Sequence, residues 1–383
     1  MLGADYVLIT NKHGKVEEII PIKDAGDDIQ QLNGVISPGF INCHCHLELS
    51  HMKGFIPEQT GLVDFVFKVV NERHFPDEQI ADAIAKGEDE MLANGIVGVG
   101  DISNNTSTLQ QKLKNRLAYY TFIELSGWNP EIAQARFDRS AGILNQFKIH
   151  PAAGGTKFKI NLTPHAPYSV SNELWELMAP HFKNQTISIH NQETAFEDDL
   201  FLTGTGDFKR MYGMMNMDTS FFQPMGKSSL QSYFEKMSAA KNVLLVHNTF
   251  TKEEDILFVR HESSAVSQDV YYCLCVNANQ YIENALPPVD LLRKHKTNIV
   301  VGTDSLASNR SLSILDELTT ISKNFPHIPL TELLQWSTLN GAKALQMDNQ
   351  LGSFEKGKTP GVVLIEGWGE GVRSEKLKVK RLV

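Results

Sequence analysis

Short apolar runs alternate with segments of helical period along most of this 383-residue chain. After Gly34 the runs are bounded by polar or turn residues, as buried strands are. They lie at Val35–Cys43, Gly95–Asp101, Ala118–Leu125, Phe158–Thr163, Thr186–His190, Val243–His247, Val270–Val276 and Asn298–Asp304. Between them, apolar residues spaced three or four apart predict helices, among them Glu78–Ala93, Glu173–Phe182, Leu230–Ala239 and Pro288–Lys294.

Eight strands that alternate with helices predict an α/β fold, a TIM-like (β/α)8 barrel. A doubly wound open sheet fits less well, because no glycine-rich nucleotide loop follows the first strand. Both termini instead carry short strand-like pieces, at Tyr6–Thr10, Lys15–Ile20 and Val362–Ile365. We therefore expect residues 1–36 and 351–383 to form one small β-sandwich domain and residues 37–350 to form the barrel.

The connection that follows His190 is unusually long, because it runs to Ser228 before the next helical pattern. Loops of this length are usually functional or disordered. Its phenylalanines and its cluster of methionines favour a packed lid, and a plain surface insertion is the alternative; the methionines are Met211, Met214, Met215 and Met217.

Composition and charge narrow the class of protein. A hydrophobic content of 42% is ample for a large core, and a net charge of −9 argues against a nucleic-acid-binding surface. No segment resembles a signal peptide or approaches the roughly 18 apolar residues of a membrane span. We expect a cytoplasmic protein with a small-molecule substrate and neither a nucleic-acid nor a membrane partner; a homodimer is a possible assembly.

The four cysteines form two pairs, Cys43/Cys45 and Cys273/Cys275, which is too few for a disulfide scaffold. Free thiols packed between the barrel and its helices are the preferred interpretation, with a four-cysteine zinc site as the alternative. Side chains alternate across a strand, so Cys43 and Cys45 are expected on the face opposite His44 and His46.

Residues with metal-binding chemistry stand where the predicted strands end: His44 and His46 on the first, His190 on the fifth, His247 on the sixth and Asp304 on the eighth. In a parallel barrel these ends surround one mouth, so the residues should converge. Three imidazoles and one carboxylate suit Zn²⁺, with Fe²⁺ as the next candidate.

Glu193 lies three residues after His190, where it is placed to reach a metal-bound water without being a ligand. A carboxylate there can take the proton of the water and deliver it to a substrate. His247 is placed to orient the hydroxide or to stabilise developing charge.

This set of residues resembles the amidohydrolase superfamily, specifically its mononuclear aromatic deaminases. The resemblance covers nearly the whole chain, including Pro38-Gly39-Phe40-Ile41-Asn42 and Gly302-Thr303-Asp304-Ser305. It implies that the metal ligands are His44, His46, His190 and Asp304. It further implies Glu193 as the proton shuttle, His247 as its partner, Asp304 as acceptor of the hydroxide proton and His165 as a substrate contact.

Finer features of the resemblance concern metal number and branch. Binuclear members carry a carboxylated lysine at the end of strand four, whereas Lys157 and Lys159 lie well short of that end, so one metal is expected. The segments 201–206, 223–228 and 304–309 look like those of aminodeoxyfutalosine deaminases and related chlorohydrolase-like proteins. Asn279 is a further expected substrate contact, although Val276 stands where relatives usually have proline.

Four more residues are candidates for the pocket, each with a plain structural alternative. Glu124 closes strand three and would hold a ribose hydroxyl or a ring N–H, or form a salt bridge. Glu48 and His51 would line the pocket or serve structure alone, and Trp128 would stack on a base or cap the barrel.

The predicted function is that of a zinc-dependent hydrolytic deaminase, with one metal ion per chain, that releases ammonia from an aminopurine or a purine nucleoside-like substrate such as aminodeoxyfutalosine. The alternatives are a chlorohydrolase or amide hydrolase on the same scaffold, and a catalytically silent metal-binding protein.

Overall fold

The computed structural model describes residues 3–150, 159–369 and 372–383. Its strands are β1 (Tyr6–Thr10), β2 (Val16–Pro21), β3 (Val35–Pro38), β4 (Phe40–Cys45), β5 (Ile96–Ser103), β6 (Ala118–Leu125), β7 (Lys159–Pro164), β8 (Thr186–Asn191), β9 (Asn242–His247), β10 (Asp269–Leu274), β11 (Asn298–Val301), β12 (Val362–Gly369) and β13 (Val372–Arg381). Its α-helices are α1 (Leu62–Glu72), α2 (Asp77–Ala93), α3 (Leu109–Lys112), α4 (Ala133–Ile149), α5 (Asn172–Met178), α6 (Phe196–Thr203), α7 (Phe208–Met214), α8 (Ser229–Tyr233), α9 (Glu253–Ala265), α10 (Val276–Glu283), α11 (Val289–Lys294), α12 (Ile314–Asn324), α13 (Leu330–Gln335) and α14 (Gly341–Ala344). Short 3₁₀ turns include Leu47–Met52, Pro167–Ser169, Ala179–His181 and Phe234–Met237, and a π-helical turn spans Trp336–Asn340.

Eight parallel strands form the barrel as two four-stranded sheets, β4 to β7 and β8 to β11, each in chain order. Polar side chains complete the hydrogen bonding where the sheets meet. Between β4 and the end of β11, Asn42 donates to Thr303 Oγ1 (2.8 Å) and accepts from the Thr303 N–H (3.1 Å). Between β7 and β8, Thr163 donates to the Ser188 carbonyl (2.6 Å) and accepts from the Ser188 N–H (2.9 Å). The predicted TIM-like barrel is confirmed.

Strands from both termini form a small antiparallel β-structure beside the barrel, as predicted. Strand β12 pairs with β3 on one side and β13 on the other, while β1 and β2 form a hairpin. The hairpin is joined to the C-terminal segment because Val16 donates to the Lys358 carbonyl and accepts from the Gly357 N–H, both at 2.8 Å. The division of domains after residues 36 and 350 stays a prediction.

The run Val35–Cys43, predicted as one strand, is two. Strand β3 belongs to the terminal sheet and only β4 enters the barrel. The break falls at Pro38, which has no N–H to continue a ladder, and at Gly39. A Cβ on Gly39 would lie 2.3 Å from Val97 Cγ1, so glycine is needed where the chain turns from one sheet to the other.

Other predicted bounds shift at element ends. The seventh barrel strand stops at Leu274 and Val276 begins α10, while the eighth stops at Val301. Helix α5 ends at Met178 because Pro180 cannot donate the next helical hydrogen bond, and the chain continues as a 3₁₀ turn. Phe158, predicted to begin a strand, lies outside the described residues.

The cysteines occupy two different layers of the core. Cys43 packs with Ile41 and Cys273 in a cluster whose members come from the barrel strands and the last helical turns, which places it inside the barrel. Cys45 packs in the layer between strands and helices. The prediction that both face outward is wrong for Cys43, because the β4 register shifts between Asn42 and Cys45 and breaks the alternation. All four thiols are buried and free, and no cysteine joins a group with metal-ligand spacing among the described residues.

A fully buried ion pair fixes the chain just beyond His46. Lys112 Nζ lies 2.5 Å from Asp101 Oδ2, and Asp101 Oδ1 accepts the N–H of Leu47 at 2.9 Å. Because Lys112→Met leaves Asp101 buried without a cation, we expect the free energy of unfolding in urea to fall by about 3–5 kcal/mol. The control Lys86→Met breaks an exposed pair with Asp82 and should change stability little. A fall for Lys112→Met no larger than that of the control would contradict this assignment.

The long connection between residues 191 and 228, called the lid here, is packed as predicted. It contains α6 and α7, whose Phe201, Phe208 and Tyr212 form a buried cluster with Trp128 and Tyr168. Arg210 of α7 also forms a two-point ion pair with Asp64 of α1 (2.9 and 3.1 Å). Across the described ranges, no helix has both the length and the apolarity needed to cross a bilayer.

Candidate metal centre and active site

Four predicted ligands meet at the carboxyl ends of the strands. Asp304 Oδ1 lies 3.6 Å from His44 Nε2 and 3.5 Å from His46 Nε2. His190, from the opposite half of the barrel, brings its Nε2 to 3.3 Å from the Nε2 of His46. The chain just after β11 passes close to β4, because a Cβ on Gly302 would lie 2.9 Å from the backbone N of His44. The barrel therefore brings together residues that are up to 260 positions apart, from His44 to Asp304.

The imidazoles present lone pairs rather than protons to the centre. His190 Nδ1 lies 2.7 Å from the His165 carbonyl, which can only accept, so Nδ1 carries the proton and Nε2 is free. Burial lowers the pKa of His46 to about 3, and burial together with the neighbouring imidazoles holds the pKa of His190 well below its usual value. Neutral imidazole is the form that binds metal.

Asp304 supplies the anionic donor. Burial acts to raise the pKa of this carboxyl, but the imidazoles of His44, His46 and His247 around it hold the pKa well below its usual range. Ser308 donates to Oδ2 at 2.5 Å, so Oδ1 remains directed at the histidines. Asp304 has a φ of +57°, a left-handed conformation that is uncommon outside glycine and is often found at functional sites.

These donors fit a divalent metal. Two nitrogens that each lie about 2.0–2.1 Å from a tetrahedral ion are about 3.3 Å apart, which is the observed separation of the His46 and His190 nitrogens. Neither ring nitrogen of His44 has a hydrogen-bond partner within the described residues, although the side chain is fully buried. Buried polar atoms normally have a partner, so His44 has the environment of a ligand. Nitrogen donors with one carboxylate suit Zn²⁺ or Fe²⁺ rather than Mg²⁺ or Ca²⁺.

A carboxyl group and an imidazole, those of Glu193 and His247, lie beside the predicted metal ligands. Glu193 Oε1 lies 3.6 Å from His247 Nε2, and burial raises the pKa of Glu193 well above its usual value. His247 Nδ1 lies 2.8 Å from Asn279 Oδ1, so Nδ1 donates and Nε2 is an acceptor. Burial lowers the pKa of His247, which keeps the ring neutral. His247 Nε2 also belongs with His44 and His190 to one group of donors spaced within 4.8 Å.

Two buried carboxylates lie on the other side of His190. Glu124 Oε1 is 3.7 Å from His190 Nδ1, and Asn104 bridges the pair by donating its Nδ2–H to Glu124 Oε2 (2.9 Å) and its N–H to Glu48 Oε2 (3.0 Å). Burial raises the pKa of each of the two carboxyls to about 7. The remaining oxygen of Glu48 faces Arg73 at 4.0 Å, and that of Glu124 has no hydrogen-bond partner among the described residues.

The profile of the amidohydrolase family matches residues 35–378 of this sequence. The chain belongs to the amidohydrolase family. Together with relatives named as deaminases, this membership makes it a hydrolase that acts on carbon–nitrogen bonds, and it confirms the resemblance seen in the sequence.

One curated relative of this amidohydrolase is the 5-methylthioadenosine/S-adenosylhomocysteine deaminase of Teredinibacter turnerae, 23% identical over 348 residues, which cover 87% of this chain and 72% of the relative. Helicobacter pylori aminofutalosine deaminase, solved in complex with methylthio-coformycin, matches with a TM-score of 0.78 and 23% identity over 99% of this chain and 95% of the other. The zinc complex of atrazine chlorohydrolase from Arthrobacter aurescens matches with a TM-score of 0.72 and 17% identity, covering 96% and 84%. At these identities the solved structures establish the fold alone.

The predicted substrate contacts of this amidohydrolase have different surroundings in the structure. His165 packs against His190, with ring centroids 4.8 Å apart. Asn279 contacts His247 with both polar atoms, since its Nδ2 also donates to the His247 carbonyl (3.3 Å), and so it orients that ring. Its contact with substrate stays a prediction. His51 is turned away from the metal ligands, with its Nε2 at 3.0 Å from the Arg73 carbonyl and its ring against Phe75.

Trp128 stacks on Tyr212 of the lid, with ring centroids 4.9 Å apart and planes at 15°. It lines a cavity of about 240 Å³ with lid residues such as Phe221 and Met225, and no metal ligand lines that cavity. Of the two roles predicted for Trp128, the structure favours the cap.

The position of Lys159 on the fourth barrel strand, β7, is consistent with a single metal ion. Lys159 lies at the opposite end of β7, where its Nζ donates to the Gln346 carbonyl. Lys157 lies outside the described residues. Asn104 and Ser308 were not predicted from the sequence. Asn104 follows the end of β5 and Ser308 lies four residues after the predicted ligand Asp304, and these positions are the signal that would have indicated them.

Proposed function

We propose that this amidohydrolase is a zinc-dependent hydrolytic deaminase of an adenine nucleoside or a closely related aminopurine, aminodeoxyfutalosine included. The observation that carries the proposal is the buried Glu193 carboxyl, 3.6 Å from His247 and adjacent to a set of neutral imidazoles and one ionised carboxylate. Deamination of a ring carbon needs a water nucleophile and a group that moves protons to nitrogen, and this site offers both.

Four residues would hold the ion: His44, His46, His190 and Asp304. A bound zinc ion supplies a water whose pKa falls from 15.7 to about 7. The raised pKa of Glu193 suits a general acid–base that first takes a proton and then gives it to the ring nitrogen beside the amine-bearing carbon. His247, with its Nδ1 held by Asn279, presents Nε2 to orient the nucleophile. Asp304 would accept the second proton of the water and pass it to the amine, which then leaves as ammonia.

Substrate recognition falls to residues on the far side of His190. His165, whose Nδ1 is 2.8 Å from Ser169 Oγ, would use its Nε2 to contact the ring of the substrate. Glu124 and Glu48 provide acceptors for hydroxyl groups. One curated relative is named for the deamination of 5-methylthioadenosine and S-adenosylhomocysteine, which combine an aminated ring with a sugar.

A chlorohydrolase is the second candidate, because a zinc-bound member of that class shares the fold over 96% of this chain. The two reactions release different products. Zinc-loaded protein should release ammonia from adenine nucleosides and no chloride from chlorotriazines; the reverse pattern would replace the proposal. A catalytically silent protein is disfavoured because the ligands and Glu193 are all present.

Glu124→Gln should reduce discrimination between sugars. Hydrogen bonds to a charged group contribute about 1.5–3 kcal/mol, so the wild type should prefer adenosine to 3′-deoxyadenosine by about tenfold to a hundredfold in kcat/KM. If Glu124 accepts the 3′-hydroxyl, the preference shrinks toward one in Glu124→Gln. If Glu48 accepts it, the preference shrinks toward one in Glu48→Gln. Equal losses for both substrates in both variants would assign Glu124 to a ring N–H or to structure.

A further inference from the structure

Glu197, on the first turn of α6, is a fully buried carboxylate surrounded by donors. Its Oε1 accepts the N–H of Gln192 at 3.1 Å and the hydroxyl of Ser229 at 2.6 Å, and its Oε2 accepts the N–H of Glu193 at 3.4 Å. No role for Glu197 was predicted from the sequence. Two of its three contacts are backbone groups of the turn that carries Glu193.

That turn has a backbone conformation that its own sequence does not favour. Gln192 has a φ of +44°, in the left-handed region that residues other than glycine rarely adopt. Such a conformation persists only where the surroundings over-determine it. The side chain of Gln192 contributes by donating to Asp255 Oδ2 (2.8 Å) and accepting from Thr251 Oγ1 (2.7 Å). Glu197 is the group that reaches the backbone of Glu193 itself.

We propose that Glu197 is a positioning residue, whose carboxylate holds the Gln192–Glu193 backbone so that the Glu193 side chain faces His247 and the metal ligands. The inference rests on the proposed function in one respect, namely that Glu193 moves the proton. A displacement of about 1 Å at a catalytic group can cost about 10²-fold in rate, so a residue that sets this backbone controls turnover without touching substrate.

A purely structural role for Glu197 is the competing account, because its contact with Ser229 joins the start of the lid to α8. Asp198 reinforces that joint by accepting the N–H of Ser229 at 2.9 Å. Ser229→Ala therefore serves as the matched control, since it removes the lid contact of Glu197 and leaves both backbone contacts. Glu197→Gln disturbs the backbone contacts instead: a carboxamide has one acceptor oxygen, so in either orientation its NH₂ group faces the N–H of Glu193 or that of Gln192.

The test compares hydrogen–deuterium exchange of the peptide covering residues 191–196 with steady-state kinetics. In Glu197→Gln we expect the Gln192 and Glu193 amides to exchange about tenfold faster, as loss of one hydrogen bond allows. We expect kcat to fall by about 10²-fold with KM and zinc content unchanged. Ser229→Ala should leave amide exchange and kcat near wild type. In a Glu193→Gln background, Glu197→Gln should have almost no additional effect on kcat.

Two results would overturn the proposal: wild-type exchange of these amides in Glu197→Gln, or a loss of kcat that is equally large when Glu193 is already glutamine. The exchange measurement does not depend on turnover. If the wild-type protein deaminates nothing, the proposed function fails, and the protection of the Gln192 and Glu193 amides still decides whether Glu197 holds their backbone.

Discussion

We expect Glu193→Gln to lower kcat for ammonia release by about 10³- to 10⁴-fold and to leave zinc content unchanged. The side chain is buried with a raised pKa and lies 3.6 Å from His247, outside the set of four ligands. Glutamine keeps the size and the hydrogen-bonding shape of the residue but cannot take or give the proton. The measurement is kcat together with metal analysis of the same preparation.

Glu254→Gln, an exposed carboxylate of α9, is the matched control and should have wild-type kcat. If Glu193→Gln loses the metal, Glu193 is a ligand and not the shuttle. If it keeps the metal and loses less than about tenfold in kcat, the proton travels by another group.

We expect removal of the metal to abolish turnover and one equivalent of zinc to restore it. Without the ion nothing lowers the pKa of the nucleophilic water from 15.7, and the reaction has no hydroxide at neutral pH. His190→Asn should reproduce this loss, because His190 supplies a neutral nitrogen 3.3 Å from that of His46. We expect activity below detection after chelation, measured as ammonia release before and after zinc is added back.

His261→Asn, which alters an exposed imidazole paired with Glu262, should bind zinc and turn over like wild type. Full activity in chelated protein, or in His190→Asn without bound zinc, would exclude the metal centre described above. Recovery with Fe²⁺ and not with Zn²⁺ would keep the site and change the ion.

Much of the fold follows from periodicity, because the barrel strands are short apolar runs separated by segments of helical period. Ala118–Leu125 has the predicted bounds, and the strand ends at His190 and His247 shift by at most one residue. Register could not be predicted. The break at Gly39 and the bulge before Cys45 depend on contacts with Val97 and on pairing with β5, which no local pattern records.

The convergence of the predicted ligands follows from one geometric rule, because the strand ends of a parallel barrel surround one mouth. Their assignment as ligands came from the family resemblance. Orientation was not predictable. His51 is only five residues from His46, yet its ring turns toward Phe75. The contact of Asn279 with His247 could not be predicted either, because it depends on α10 beginning at Val276. Glu197 could not be predicted because two of its three partners are backbone N–H groups, which no pattern of side chains indicates.

Ammonia release by protein loaded with one zinc ion per chain, assayed with adenosine, 5′-methylthioadenosine and aminodeoxyfutalosine, tests the central claim most directly. The structure predicts that at least one of these compounds yields ammonia and its 6-oxo product in equal amounts, and that chelation stops the reaction. A fully metal-loaded preparation that releases no ammonia from these compounds or from a wider set of aminopurines, pterins and cytosine would contradict it.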